Sequence, residues 1–547
     1  MVLFYILLGS WKKEGVKYME QEEHVGLRLL KRGKQGLLNI VFSRLGLITL
    51  LFFINVGFML LTYKWFRESM PQLTGAVTVV EILMIIYLFN CEFDSDVKLT
   101  WLMVIMILPL FGSLFLLYTR MDIGHRAIKH RMQHLLLQTS ESLWQKPEVI
   151  QHLKVANPES ATLVHYVNRT GCYPAYENTE VSYFPTGQDK LDALLVQLEQ
   201  AKKYIFLEYF IIEEGEMWGK VLEILARKAK EGVEIRLLYD GSCEFTTLPH
   251  DYPKRIRKLG IQCKMFAPLT PFVSTMYNYR DHRKILVIDG HTAFTGGINL
   301  ADEYINVKKK YGHWKDTAVM LKGEAAKSFA LMFLHMWNVD TKDEDFSPYL
   351  NCDIVDELRI TNQCAKGFVL PFGDYPLDND KVGERIYMDV LNQATEYVHI
   401  MSPYLILDEE MEAALQFAAE RGIDVKIILP GIPDKKGPYS LAKMHYKALL
   451  TSGVKIYEYT PGFVHAKVFV SDDVKGIVGT INLDYRSFYH HFECAAYMYD
   501  VECISDIEKD FQETLAQCRE VTFETIKKEK WWVKVRGSLL KIVAPLI

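Results

Sequence analysis

Long apolar runs are confined to the first 120 residues of the chain. Residues 45–62 (LGLITLLFFINVGFMLLT) and 99–118 (LTWLMVIMILPLFGSLFLLY) carry no charged side chain. Each is about long enough for a helix to cross a ~30 Å hydrocarbon core. Between them, residues 75–90 (GAVTVVEILMIIYLFN) are shorter and contain Glu81, so this run spans, lies in the interface or packs within a bundle. Two or three spans are therefore expected. Basic residues precede the first run (Lys31, Arg32, Lys34, Arg44) and follow the last (Arg120, Arg126, Lys129, Arg131), which by the positive-inside rule places both ends on one side.

Past residue 176 the pattern changes to short β-rich runs alternating with helical stretches, the signature of α/β units with parallel strands. The unit occurs twice. EGVEIRLLYDG at 231–241 matches RGIDVKIILPG at 421–431, LGIQCKMF from Leu259 matches SGVKIYEY from Ser452, and YIFLEYFI from Tyr204 precedes the first copy as VHIMSPYL from Val398 precedes the second. Three matches in one order describe two halves of one fold. The last residues, 527–547 (KKEKWWVKVRGSLLKIVAPLI), mix Lys and Arg with Trp, Leu and Ile, as an interfacial amphipathic tail or a helix capping the core does.

Composition removes several function classes. A net charge of -5, from 63 basic and 68 acidic residues, supplies no global positive field, so nucleic acid is not expected as a partner. Nine cysteines, none in a CxxC pair, argue against a zinc site or a disulfide framework. No metal and no cofactor is expected.

The chemistry lies in a repeated motif. HRKILVIDGHTAFTGGIN contains His282, Lys284, Asp289, Gly296 and Asn299; HAKVFVSDDVKGIVGTIN contains His465, Lys467, Asp472, Gly479 and Asn482, with identical spacing. Alternation puts His282 and Lys284 on one face of a strand. The Gly-rich partner strand lets backbone N–H groups approach an oxyanion, so Gly296, Gly479, Asn299 and Asn482 are candidate substrate-binding residues. Lysine supplies charge, and histidine a nucleophile or acid near neutral pH. Two such sets facing each other cradle one phosphorus between two histidines. Asp289 and Asp472 belong to the candidate catalytic set by position, but they close strands at turns, where aspartate serves local hydrogen bonding.

These paired H-x-K-x4-D motifs resemble the HKD motifs of the phospholipase D superfamily, and the chain resembles bacterial cardiolipin synthases over nearly its whole length. NYRDHRKILVIDG, GGINLADEYI, GHWKDTAV, FVHAKVFVSD and GTINLDYRSFYHHFECA carry the likeness. The resemblance implies that a carboxylate downstream of each motif orients its histidine, which assigns Asp316 and Glu493. Gly297 and Thr480 stand where many members have serine, which puts in doubt a hydroxyl contact from the first half only.

The fold expected is α/β, with two pseudo-symmetric phospholipase D-like halves behind an N-terminal helical transmembrane segment. Its divisions are a membrane anchor at 1–125, a linker at 126–175, halves at 176–345 and 346–524, and the basic tail at 525–547. The resemblance implies transfer of a phosphatidyl group from one phosphatidylglycerol to the glycerol hydroxyl of another through a phosphatidyl-histidine. His282 would be the nucleophile and His465 the acid and then the base. A phospholipase D, or a transferase with another acceptor alcohol, is the alternative. Phosphatidylglycerol and membrane lipids would be the partners, and the bacterial cell membrane, crossed more than once, the location.

Overall fold

The two copies of the repeated α/β pattern fold into two separate mixed sheets in the computed structural model, which describes residues 71–120, 123–268, 279–341, 344–350, 365–378 and 380–546. The first sheet holds β1 (Glu180–Phe184), β2 (Tyr204–Tyr209), β3 (Glu234–Asp240), β4 (Gln262–Phe266), β6 (Lys284–Ile288), β7 (Thr292–Gly296) and β9 (Ala318–Lys322), in the order β1-β9-β7-β6-β2-β3-β4. Two short strands, β5 (Arg280–Asp281) and β8 (His313–Lys315), stand off it.

The second sheet holds β10 (Phe368–Asp374), β11 (Tyr397–Met401), β13 (Asp424–Pro430), β14 (Lys455–Tyr459), β16 (Val468–Ser471), β17 (Lys475–Gly479), β19 (His491–Tyr499) and β20 (Cys518–Glu520). Its order is β10-β19-β17-β16-β11-β13-β14-β20, with β12 (Leu405–Ile406), β15 (Gly462–Val464) and β18 (Leu483–Asp484) outside it. The path β9-β7-β6-β2-β3-β4 of the first half repeats as β19-β17-β16-β11-β13-β14 in the second. In each half three strands run parallel (β2, β3, β4; β11, β13, β14) and the motif hairpin runs antiparallel to them.

Alternation fixes the register of the motif strand. Ile285 and Val287 enter one apolar core, whereas Leu286 and Ile288 enter another on the opposite face. A one-residue slip would exchange these faces and move Lys284 out of the site. The first of these cores is continuous between the halves, because the helix Ala326–Trp337, buried except at Lys327, packs between β2 and β6 on one side and β10 on the other.

Before the sheets come three apolar helices, α1 (Pro71–Phe89), α2 (Ser95–Ile107) and α3 (Pro109–Arg120), packed around Met84, Leu88, Trp101, Ile105 and Leu116. The crossing expected at 99–118 is not one helix. Leu108 leaves the helical region, with φ -133° and ψ 73°, because it precedes Pro109 and the proline ring disfavours the α conformation there. The resulting pieces, 13 and 12 residues long, each reach only about 20 Å. Among the described residues no helix is long and apolar enough to cross a membrane. The run at 45–62 lies outside the described residues. The C-terminal helix α4 (Trp531–Val543) buries Val533, Gly537 and Leu540 and leaves Trp531, Trp532, Val535 and Leu539 exposed, so it both caps the fold and presents an apolar face.

Candidate active site

Each motif histidine is led to the centre by a short strand that pairs with a strand of the opposite half. β5 pairs in parallel with the start of β19, matching Arg280 with His491 and Asp281 with Phe492. The next residues on the two strands, His282 and Glu493, are thereby set side by side. In the mirrored arrangement β15 pairs in parallel with β8, matching Phe463 with Trp314 and Val464 with Lys315, and the next residues are His465 and Asp316. Backbone bonds His282 N–H to Phe492 O, 3.0 Å, and His465 N–H to Lys315 O, 2.7 Å, close the two junctions.

The carboxylates consequently work crosswise. His282 Nδ1 lies 2.9 and 3.0 Å from the two oxygens of Glu493, and His465 Nδ1 lies 2.7 Å from Asp316 Oδ2. This corrects the expectation that each motif's downstream carboxylate holds the histidine of its own motif. Parallel pairing between halves brings the partner's strand alongside, and a parallel neighbour advances in step. All four side chains are buried.

Lys284 and Lys467 donate to the carbonyls of His282 and His465, two residues back, and Lys467 Nζ also lies 3.0 Å from His465 Nδ1. Burial lowers Lys284 to about 8 and Lys467 to about 7. Burial, reinforced by these lysines, also holds His282 well below the ordinary imidazole range and brings His465 down to about 4. At neutral pH the two imidazoles are therefore uncharged, set among two buried lysines and two buried carboxylates.

The remaining sequence candidates divide. Asn299 sits at the centre with its amide in use: Oδ1 accepts from Ile211 N–H at 3.0 Å and Nδ2 donates to Tyr304 Oη at 2.7 Å. Asn482 is buried with its Oδ1 unpartnered. Asp289 accepts from the backbone N–H groups of Lys202, Lys203 and Tyr204, each at 2.8 Å. Asp472 does the same for Thr395, Glu396 and Tyr397 at 2.8, 3.0 and 2.9 Å. Both aspartates adopt left-handed backbone, φ 52° and 53°, so they are turn locks joining the motif hairpin to the parallel strands.

The glycines also depart from expectation. Gly479 N–H is spent on Lys467 O and Gly297 N–H on Thr317 O, inside the sheets, rather than turned toward an oxyanion. What glycine supplies is closeness. At Gly296, φ +142°, a Cβ would meet Thr317 O at 2.5 Å, and at Gly297 it would collide with Asp316 Oδ1. No side chain fits at Gly297, whereas Thr480, its counterpart, donates its hydroxyl to Glu493.

Several site residues escaped the sequence. Phe210 stands edge-on to His282 at 4.9 Å between ring centres, and His491 lies 5.2 Å away. Tyr304, Trp314 and Phe463 box His465 at 5.5, 5.3 and 6.0 Å. Behind the first motif, Arg283 Nε donates to Glu208 at 2.7 Å and lies 3.6 Å from Asp281, all three fully buried. The only advance sign was the density of polar and aromatic letters around the motifs in NYRDHRK and HHFECA.

The chain matches known proteins over both halves. The family model described as cardiolipin synthase, PLD-like domain, matches residues 194–337 and 387–515. The chain is 56% identical over 463 residues to an uncharacterized protein of Streptococcus mutans serotype c, covering 85% of this chain and 99% of that protein. It is 30% identical over 512 residues to the cardiolipin synthase of Halalkalibacterium halodurans, covering 92% and 100% of the two. Among solved structures, the phosphatidylserine synthase of Haemophilus influenzae Rd KW20 superposes with a TM-score of 0.52 at 14% identity, covering 71% of this chain and 98% of that one, a likeness of fold.

Proposed function

The chain belongs to the cardiolipin synthase family with its phospholipase D-like domains, and from that membership we propose that it transfers a phosphatidyl group between two phosphatidylglycerol molecules, forming cardiolipin and glycerol. The observation that carries the mechanism is the pair of crosswise histidine–carboxylate contacts at one buried, lysine-lined centre. We assign His282 as the nucleophile. Its Nδ1 proton is held by Glu493, which leaves the lone pair on Nε2 for phosphorus. A bond forms from Nε2 to phosphorus while the bond to the headgroup oxygen breaks, and His465 gives that oxygen a proton.

Glycerol departs and His465 is then neutral. It takes the proton from a glycerol hydroxyl of the second lipid, whose oxygen attacks phosphorus and releases His282. One phosphodiester replaces another, so no nucleotide is consumed. Lys284 and Lys467 neutralise the charge that grows on the five-coordinate phosphorus. Burial and the lysines disfavour imidazolium; a bound phosphodiester reverses the second cause and raises the fraction of His465 able to act as acid.

The same reading sets the enzyme at the bacterial cell membrane. Anchoring is assigned to residues 45–62 and to the exposed apolar side chains of α1–α3, among them Ile82, Leu83, Phe89, Met106 and Ile107. The two sheets support a division of the catalytic part into halves at 176–345 and 346–524. Exclusion of water there favours a lipid hydroxyl over hydrolysis to phosphatidic acid. The decisive experiment supplies purified full-length protein with vesicles of phosphatidylglycerol alone. Cardiolipin and glycerol appear in equal amounts; product that forms only after CDP-diacylglycerol is added refutes the proposal.

A further inference from the structure

The pseudo-twofold relation between the halves pairs two residues of unlike chemistry. Counting back two positions from each orienting carboxylate gives Trp314 before Asp316 and His491 before Glu493. Both occupy the same place in the cross-half ladders: Trp314 faces Phe463, two residues before His465, and His491 faces Arg280, two residues before His282. Each ring lies against the histidine of the other half in matching geometry. Trp314 and His465 are 5.3 Å apart between centres with planes at 41°; His491 and His282 are 5.2 Å apart with planes at 37°.

Both rings share a second property. Trp314 is 8% exposed and His491 7%, yet neither the indole Nε1 of Trp314 nor either ring nitrogen of His491 has a hydrogen-bond partner. His491 Nδ1 stands 3.5 Å from Glu493 Oε1, without the geometry of a hydrogen bond. Glu493 is already taken by His282 and Thr480. An unpaired buried N–H or imidazole nitrogen costs free energy that a bound ligand recovers. Symmetry-equivalent placement of two such nitrogens, one beside each reacting histidine, marks them as ligand contacts rather than isolated packing defects. The backbone N–H groups of Gly297 and Gly479 are no oxyanion donors here, because both are committed to the sheets.

We propose that Trp314 and His491 are a symmetry-related pair of headgroup contacts, one ring on each side of the phosphate, whose nitrogens hydrogen-bond the hydroxyl and ester oxygens of a glycerol phosphodiester. The indole is a donor only and suits any oxygen; a neutral imidazole offers a donor and an acceptor, which suits a hydroxyl, itself both. Burial brings His491 down to about 3, so the ring is neutral at working pH and presents both functions. A site that hydrogen-bonds a substrate hydroxyl rejects an alcohol lacking it, since its own polar atoms are then left unpaired. Trp314 and His491 thus deepen the function proposed above, on which this inference rests, by selecting a polyol headgroup over a simple alcohol.

The test uses the full-length protein on phosphatidylglycerol vesicles with ethanol as a competing acceptor, reading the ratio of cardiolipin to phosphatidylethanol. Trp314→Phe and His491→Phe, which keep a ring and remove nitrogen, should each lower that ratio about fivefold or more. His491→Gln, which restores a donor and an acceptor, should stay within about twofold of wild type. A substrate-side measurement stands apart from folding: phosphatidylpropanol, whose headgroup has no hydroxyl, should lose kcat/KM in the wild-type enzyme by a similar factor, and the Phe variants should be nearly indifferent to that deletion. Unchanged product ratios in Phe variants that melt like wild type overturn the inference, as does equal kcat/KM for the two lipids in wild type. In either case wild-type cardiolipin formation leaves the function standing, whereas a wild-type protein that makes no cardiolipin overturns both.

Discussion

Lysine is the residue on which the pH behaviour of this site turns. Lys284 and Lys467 are wholly buried, and their pKa values fall to about 8 and about 7 from the usual 10.5, chiefly through desolvation. A lowered lysine pKa means that the charge is present below that value and lost above it. Raising pH through 7 and then 8 therefore strips positive charge from the place where negative charge develops. His465 moves the profile in the same direction, because the proton it must donate is held less as pH rises. His282 imposes no limit near neutrality, being held neutral far below its ordinary range. We expect kcat/KM for phosphatidylglycerol to fall by about tenfold or more between pH 6.5 and 9. An activity that climbs over that range would mean that these lysines do not supply the charge.

At the scale of elements, the hairpins and the parallel strands were legible because they follow from local alternation and from a repeat compared with itself. β6 and β16 stand just after the motif histidines, with His282, His465 and Lys467 preceding them outside any strand, and the histidines and lysines still enter one centre. What could not be read was the crosswise pairing. It depends on β5–β19 and β8–β15, contacts between segments of two or three residues with no periodic signal of their own and more than a hundred residues apart. The break at Leu108 was written in Pro109 but outweighed by the length of the apolar run. Crossing of the halves has a specific consequence for Gly297. It belongs to the first motif, yet an added Cβ would strike Asp316, which supports the histidine of the second. Gly297→Ala should therefore disable His465 and spare His282. Given a phosphatidyl ester whose leaving group needs no proton, the nucleophile would still load, the acceptor would lack its base, and a phosphatidyl adduct should accumulate on the His282 peptide as a lipid mass shift. The double variant Gly297→Ala/His282→Asn should show none. An adduct on His465 instead would reverse the assignment of the two histidines.

For the whole molecule, the question is how a buried centre meets two lipids, and the answer lies in what the ends of the chain hold together. Thr100 on α2 donates to Ile542 O on α4 at 2.8 Å, Asp94 pairs with Lys381 at 2.7 Å, and Asp96 accepts from Tyr485. Tyr485 opens the short helix Tyr485–Tyr489 between Asn482 and Glu493, so the apolar rim and the reacting groups share one stretch of chain. α1–α3 and α4 thus form a single platform whose outward residues are apolar and whose flanks carry Lys530, Lys534 and Lys541. Trp531 and Trp532 stand out most on α4, at 69% and 50% exposure, with Val533 turned inward to hold the helix down. Indoles exposed beside lysines are the composition of a helix lying in the headgroup layer of an anionic membrane. Replacing both tryptophans with alanine removes rings whose ring contacts are to each other and to Lys530, so the melting temperature should change little. Affinity for phosphatidylglycerol vesicles should fall by about tenfold, the equivalent of ~1.4 kcal/mol of lost apolar transfer. Turnover of a water-soluble short-chain phosphatidylglycerol should remain within about twofold of wild type, because the reacting centre is untouched. Equal vesicle affinity in the double variant would exclude α4 from the lipid-facing platform, and equal losses on vesicles and on the soluble lipid would mean that the helix serves the catalytic centre rather than the membrane.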